Sequence, residues 1–136
     1  MAHWILKTEP GDYSFDDLRR DGSTAWTGIT NAQALINLRA MARGDEALIY
    51  HSGAQKALVG RATITRAAYP DPAKKDPRLA AVGVRAGAPL PSPVTLAQVK
   101  DDPAFKDLLL VRNSRLSVIP VAAPLFAKLL AMGRVR

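Results

Sequence analysis

Four short groups of residues carry the chemistry that this sequence offers. The chain opens with Trp4-Ile-Leu-Lys-Thr-Glu-Pro10, an apolar strand that stops abruptly at three polar side chains and a proline. Pro10 has no N–H for a ladder and biases Glu9 toward extended geometry, so Lys7, Thr8 and Glu9 gather where the strand leaves its sheet. That cluster reads as the floor of a polar pocket, or else as a solvated strand end with a weak Lys/Glu pair. In Ala25-Trp-Thr-Gly-Ile-Thr-Asn31 an indole lies in a glycine-containing turn just before a helix start. Trp26 offers a stacking face, and the amide of Asn31 can pair with a donor and an acceptor on a base edge. The same two residues equally fit a core plug and a helix N-cap. In Tyr50-His51-Ser52, strand alternation puts Tyr50 and Ser52 on one face and His51 on the other. His51 suits a switchable donor near neutral pH or a structural hydrogen-bonder. Finally, Arg115 and Ser117 share a strand face opposite Leu116 and Val118, with Arg115 suited to phosphate or a base edge.

Composition narrows the classes. With 136 residues the chain fits one domain, residues 1–136, with a self-sufficient core. No cysteine is present, which rules out disulfides, thiolate zinc sites and a cysteine nucleophile. The two histidines, His3 and His51, match no metal-ligand spacing, and no P-loop, dinucleotide fingerprint or nucleophile elbow occurs, so no metal or cofactor is expected. Nineteen basic against twelve acidic residues leave a net charge of +7, which favours a polyanionic partner and makes nucleic acid the leading class. No apolar run approaches membrane-spanning length and no signal segment is seen, so no membrane partner is expected and the location is cytoplasmic, with nucleoid or nucleus as variants.

Short strands and short helices alternate without repeats, an α+β pattern. Ser14 with Asp17 forms a capping box for a helix stopped by Asp21-Gly22, and Asn31 caps a second helix read as running to Gly44, with Arg39 and Arg43 one turn apart. Residues 46–52 and 57–65 read as a hairpin, with Gly60 at a bend. Tyr69-Pro-Asp-Pro-Ala-Lys-Lys-Asp-Pro77 reads as a basic loop and is followed by a strand near 79–86. The proline-rich stretch 89–93 leads into a capping box at Thr95 and Gln98, with a further turn at Pro103. Residues 116–121 suggest a strand near an edge. Pro124 opens a terminal helix that buries Leu125, Phe126, Leu129 and Leu130. Five or six short strands of this kind imply a small curved or partly closed sheet with helices against it; their order does not follow from the pattern.

Taken in order, the opening Trp4–Pro10 motif, Trp26-Thr-Gly-Ile-Thr-Asn31, Arg43-Gly-Asp45, Tyr50-His-Ser52, Val59-Gly60, Ala68-Tyr-Pro-Asp-Pro72 and Ser114-Arg-Leu-Ser-Val-Ile-Pro-Val121 resemble the EVE domain family, which includes thymocyte nuclear protein-like proteins. The resemblance spans nearly the whole chain. It implies a PUA-like fold, a bent β-barrel flanked by short helices, with a pocket for a flipped, modified base, cytosine-derived in the first instance, in DNA or RNA. The matching pocket positions are Lys7, Thr8, Glu9, Trp26, Asn31, Tyr50, His51, Ser52, Arg115 and Ser117. Two positions depart from the family: Thr27 stands where an aspartate is common after the tryptophan, and Thr30 where an arginine often precedes the asparagine. The function expected is a non-enzymatic reader, with a monomer favoured. Trp26 and Tyr50 would wall the base, Asn31, Ser52 and Glu9 would read its edge, and Lys7 and Arg115 would hold phosphate. The alternatives are a small amidohydrolase acting on a modified nucleoside through Lys7, Thr8 and Glu9, as in the related ASCH domains, and a protein-interaction module with an incidental basic surface.

Overall fold

The computed structural model describes residues 1–135. Six strands form one mixed sheet in the order β2-β5-β4-β3-β1-β6. They are β1 (His3–Thr8), β2 (Ser23–Trp26), β3 (Glu46–His51), β4 (Ala57–Pro70), β5 (Ala80–Thr95) and β6 (Val118–Val121). β1 and β3 run parallel and the other pairs are antiparallel. The helices are α1 (Phe15–Asp21), α2 (Ala32–Arg39), α3 (Leu96–Asp101), α4 (Leu109–Arg112) and α5 (Ala123–Met132), with a 3-10 turn at Pro103–Phe105.

The α+β class and the strand number agree with expectation. The ladder, however, stays open, with β2 and β6 as its two edges. The sheet curls all the same. α2 packs against both β5 and β6, strands from opposite ends of the ladder, and Asn37 fastens it to the edge by donating from Nδ2 to the Val118 carbonyl at 2.8 Å. Register shifts between β4 and β5 supply the bend, since each extra residue kinks its strand and increases the local twist. Gly60 sits at two of these shifts, and a Cβ there would fall 2.2 Å from the Phe15 ring. Only glycine lets α1 lay that ring on the sheet.

Local signals behave as their chemistry dictates at Ser14 and Asp17, at Thr95 and Gln98, and at Asn31, whose Oδ1 accepts from the Ala34 N–H at 2.9 Å. Several expectations are corrected. α2 ends at Arg39 rather than at Gly44, because the Asp45 carboxylate takes the Ala42 N–H at 2.9 Å and pulls the chain out of helix, so Arg43 lies off the helix. The prolines of 89–93 lie inside β5, and Tyr69 and Pro70 inside β4. β2 pairs with β5 only as far as Arg85, so the later part of β5 has a free edge where a missing N–H costs no ladder bond. Arg115 and Ser117 precede β6 instead of sharing its face. In α5, Phe126 and Leu129 are buried while Leu125 and Leu130 are only partly covered.

Asp45 also accounts for the Arg43-Gly-Asp45 motif. Its carboxylate accepts from Ala2 N–H at 3.0 Å, Trp4 Nε1–H at 3.0 Å and Ala42 N–H, tying the start of β1 to the entry of β3. Burial alone would raise its pKa, but these donors together hold it below the ordinary carboxylate value.

Candidate ligand cavity

The parallel strands β1 and β3 end side by side, with Lys7 opposite Tyr50 and Thr8 opposite His51. Beyond the end of β1 the chain turns through Pro10 and Gly11, where the Glu9 carbonyl accepts from the N–H groups of Asp12 and Tyr13, both at 2.9 Å. This turn faces the end of β2 and the residues that follow it, with Trp26 the last strand residue rather than part of the glycine turn, and between them lies a cavity of about 500 Å³. Lys7, Thr8, Glu9, Asp12 and Tyr13 line one side, Thr24 through Ile29 the other, and Ser117 closes the rim.

Trp26 and Tyr13 meet edge-on, with ring centroids 6.1 Å apart and planes at 80°. Trp26 is 6% exposed, so it serves the core and the cavity wall at once. Tyr13 is held from behind by its hydroxyl, which donates to Asp21 Oδ2 at 2.8 Å. Partial burial raises its pKa, and the Asp21 bond adds to the shift. Gly28, at φ +79°, donates its N–H to Asp71 Oδ2 at 3.2 Å. That turn conformation is one few side chains adopt.

Lys7 is half-buried, and burial lowers its pKa from the usual lysine value. Its Nζ donates to the Ser114 carbonyl at 3.0 Å and stands 5.6 Å from the Tyr50 ring centroid. Two of its three donor hydrogens remain for a ligand. The Thr8 hydroxyl donates to the Tyr13 carbonyl at 2.6 Å. Glu9 Oε1 accepts from the Gly11 N–H at 3.1 Å, and Oε2, with no hydrogen-bond partner among the described residues, lies beside Gly53, where a Cβ would fall 2.5 Å from it. No group of three histidine, aspartate or glutamate side chains is placed to hold a metal ion among the described residues.

Of the ten positions singled out in the sequence, Lys7, Thr8, Glu9, Trp26 and Ser117 come together here, and five do not. Asn31 spends its side-chain oxygen on the helix cap. Tyr50 is 4% exposed and lies beneath Lys7. His51 is buried, and its Nε2 accepts from the Phe15 N–H at 2.9 Å while Nδ1 pairs with Gln55 Oε1 at 2.7 Å, which assigns the neutral Nδ1–H tautomer. Ser52 Oγ donates to the Thr8 carbonyl at 3.3 Å. Arg115 is exposed away from the lining. Sequence reasoning missed Tyr13 and Asp71. The Pro10-Gly11 turn was the available signal for Tyr13, since it folds the next aromatic back toward the strand end. Nothing local links Asp71 to Gly28, forty-three residues away.

Comparison with known proteins places this geometry. The EVE domain model matches residues 2–132. Thymocyte nuclear protein 1 of Gallus gallus is 28% identical over 96% of this chain and 68% of its own length. The human protein of that name is 37% identical over 52% of the chain, a stretch that is 36% of the human sequence. An NMR structure from Rhodopseudomonas palustris is 42% identical with a TM-score of 0.93, covering 99% of this chain and 94% of that one. The crystal structure of human THYN1 in complex with 5-methylcytosine-containing DNA has a TM-score of 0.90 at 28% identity, covering 98% of both chains. An ASCH protein from Zymomonas mobilis, at 13% identity and TM-score 0.58, shares the fold alone. The opening strand with its polar end, the Trp26 segment and the curled mixed sheet are thus parts of one known architecture, and this chain belongs to the EVE domain family.

Proposed function

We propose that this chain reads a modified, cytosine-derived base, taken out of the stack in DNA and held in the cavity between the end of β1 and residues 24–29 at the end of β2, without changing it chemically. The observation that carries this reading is the meeting of two aromatic walls, Trp26 and Tyr13, with the half-buried ammonium of Lys7 in one cavity with room for a base and its surroundings. The related human protein crystallised with 5-methylcytosine-containing DNA supports both the partner and the class of base. Flipping a base costs a few kcal/mol, and stacking against aromatics inside a polar rim offsets it. Tyr13 takes the wall role expected of Tyr50. In this reading Glu9 and Ser117, which line the cavity, read the base edge, and Lys7 touches a phosphate or the rim. Thr27 lines the cavity where a family aspartate is common, replacing a charged acceptor with a hydroxyl, so the range of bases accepted differs accordingly.

Hydrolysis is the less favoured reading. A nucleophile and its base must share a proton, whereas the Thr8 hydroxyl is turned to the Tyr13 carbonyl and Lys7 to the Ser114 carbonyl. The test is affinity for duplexes that differ only in carrying cytosine or 5-methylcytosine at one position, measured over a salt series, with mass spectrometry of the recovered DNA. Tighter binding of the modified duplex, weakening with salt, and an unaltered base are expected. Equal affinities, or a base changed in mass, would overturn the proposal.

A further inference from the structure

The base cavity accounts for one lysine, yet the charge of +7 must be placed elsewhere as well. The loop between β4 and β5 holds Lys74 and Lys75, both exposed. Its own acids leave them uncompensated. Asp76 is bound by Arg78 at 2.8 Å, and Asp71 is 2% exposed, its Oδ1 accepting from the Ala73 N–H at 2.8 Å and its Oδ2 from Gly28. At the foot of the loop the Arg66 guanidinium lies 3.7 Å from the Tyr69 ring centroid, a stack that occupies its face and leaves its N–H edges free. Arg39 reaches across from the end of α2 to donate to the Arg78 carbonyl, beside a concavity of about 340 Å³ that it lines with Tyr69 and Pro70. Among the described residues, no carboxylate lies within 4.0 Å of Arg39, Arg66, Lys74 or Lys75.

This basic face is continuous with the cavity wall. Asp71 holds Gly28 through its carboxylate at 3.2 Å, and its carbonyl accepts from the Lys74 N–H at 3.3 Å, so one residue separates the wall from the first lysine. We infer that Lys74, Lys75, Arg39 and the Arg66–Tyr69 stack form the track for the phosphodiester strand flanking the base in the cavity, with Asp71 fixing the track to the wall. The inference rests on the base-reading function and adds the path of the strand. A polyanion fits because the two acids of this loop are taken up by Gly28, Ala73 and Arg78 and leave the four cations unpaired among the described residues, and because a base held against Gly28 must carry its neighbouring phosphates past that loop.

The experiment compares the intact protein with Lys74→Ala/Lys75→Ala and with Lys100→Ala/Lys106→Ala on plain and 5-methylcytosine duplexes over a salt series. The second pair removes equal charge at the other end of the β4–β5 hairpin, where Ala57 pairs Thr95, against Pro70 with Ala80 at the loop. The loop pair should lower the steepness of log affinity against log salt by about 2, near 0.9 for each phosphate no longer neutralised. It should weaken both duplexes by the same factor, leaving their ratio at the parental value, and the distant pair should change the slope little. A loop variant with the parental slope, or a distant pair that lowers it as much, overturns the track. A parental ratio of one overturns base reading instead, while the slopes on plain DNA still decide the track. A protein that binds neither duplex overturns both.

Discussion

Two polar strand ends lie side by side and do different things. At the end of β1, Lys7, Thr8 and Glu9 face a cavity; at the end of β3, Tyr50, His51 and Ser52 are taken up by the protein itself. Both triplets carry donors and acceptors, and their first two residues are in register, Lys7 with Tyr50 and Thr8 with His51. The difference lies in what surrounds them. β3 has a strand on either side, and α1 closes over its end with the Phe15 N–H aimed at His51. β1 also lies between two strands, but β6 pairs with it only from His3 to Leu6, which leaves the turn at Pro10 and the Trp26 segment to stand apart beyond that pairing. A polar residue at a strand end becomes available to a ligand when its hydrogen-bonding capacity exceeds what its neighbours use. Lys7 and Glu9 have such a surplus, and His51 has none.

The largest expected effect lies opposite the β1 end. Trp26→Ala should cost about 3–5 kcal/mol of stability, as for other large aromatics removed from a core, read by urea denaturation. Comparing Trp26→Phe with Trp26→Leu separates the two roles, since both keep part of the packing and only the first keeps an aromatic face for stacking. If the alanine variant were as stable as the parent, Trp26 would belong to the cavity only.

Lys7→Ala should weaken DNA binding by about 1.5–3 kcal/mol, the scale of a hydrogen bond to a charged group, with far less change in stability. Lys7→Arg should keep much of that affinity. Burial lowers the Lys7 pKa, so its charge is lost below the usual lysine value of 10.5 as pH rises. Binding should accordingly fall with increasing alkalinity earlier in the parent than in Lys7→Arg, which stays protonated. Matching pH profiles for the two would remove Lys7 from the interface.

At the β3 end the balance reverses. His51→Ala leaves the buried Phe15 N–H without an acceptor and should cost about 1–3 kcal/mol of stability. Affinity per folded molecule should stay at the parental value. A selective loss of binding in a variant folded by circular dichroism would return His51 to the ligand site.

The smallest effect belongs to Ser52. Its hydroxyl bond to the Thr8 carbonyl is 3.3 Å long and duplicates the backbone bond from Ser52 N–H to the same oxygen at 2.9 Å. Ser52→Ala should leave both stability and affinity within about 0.5 kcal/mol of the parent. A larger loss of affinity would mean that the β3 end reaches the ligand after all.

What the sequence determined by itself was local. Ser14, Asn31 and Thr95 cap their helices because the partner N–H lies three residues on, and Pro10 ends β1 because it lacks an N–H. The polar end of β1 and the indole of Trp26 were legible for the same reason, as was the resemblance to the EVE domain family. Tertiary structure alone decided which residues meet. Asn31, Tyr50, His51 and Ser52 have the chemistry of a site, but their bonds are used by Ala34, by Phe15 and Gln55, and by Thr8, or, for Tyr50, their surface is covered. Tyr13 joins the wall through a turn, and Asp71 holds the cavity loop from forty-three residues away. Capping and chain termination depend on neighbours within a few residues, which a sequence displays; the use or surplus of a hydrogen bond depends on which distant segment the curled sheet brings alongside, and that exists only once the chain has folded.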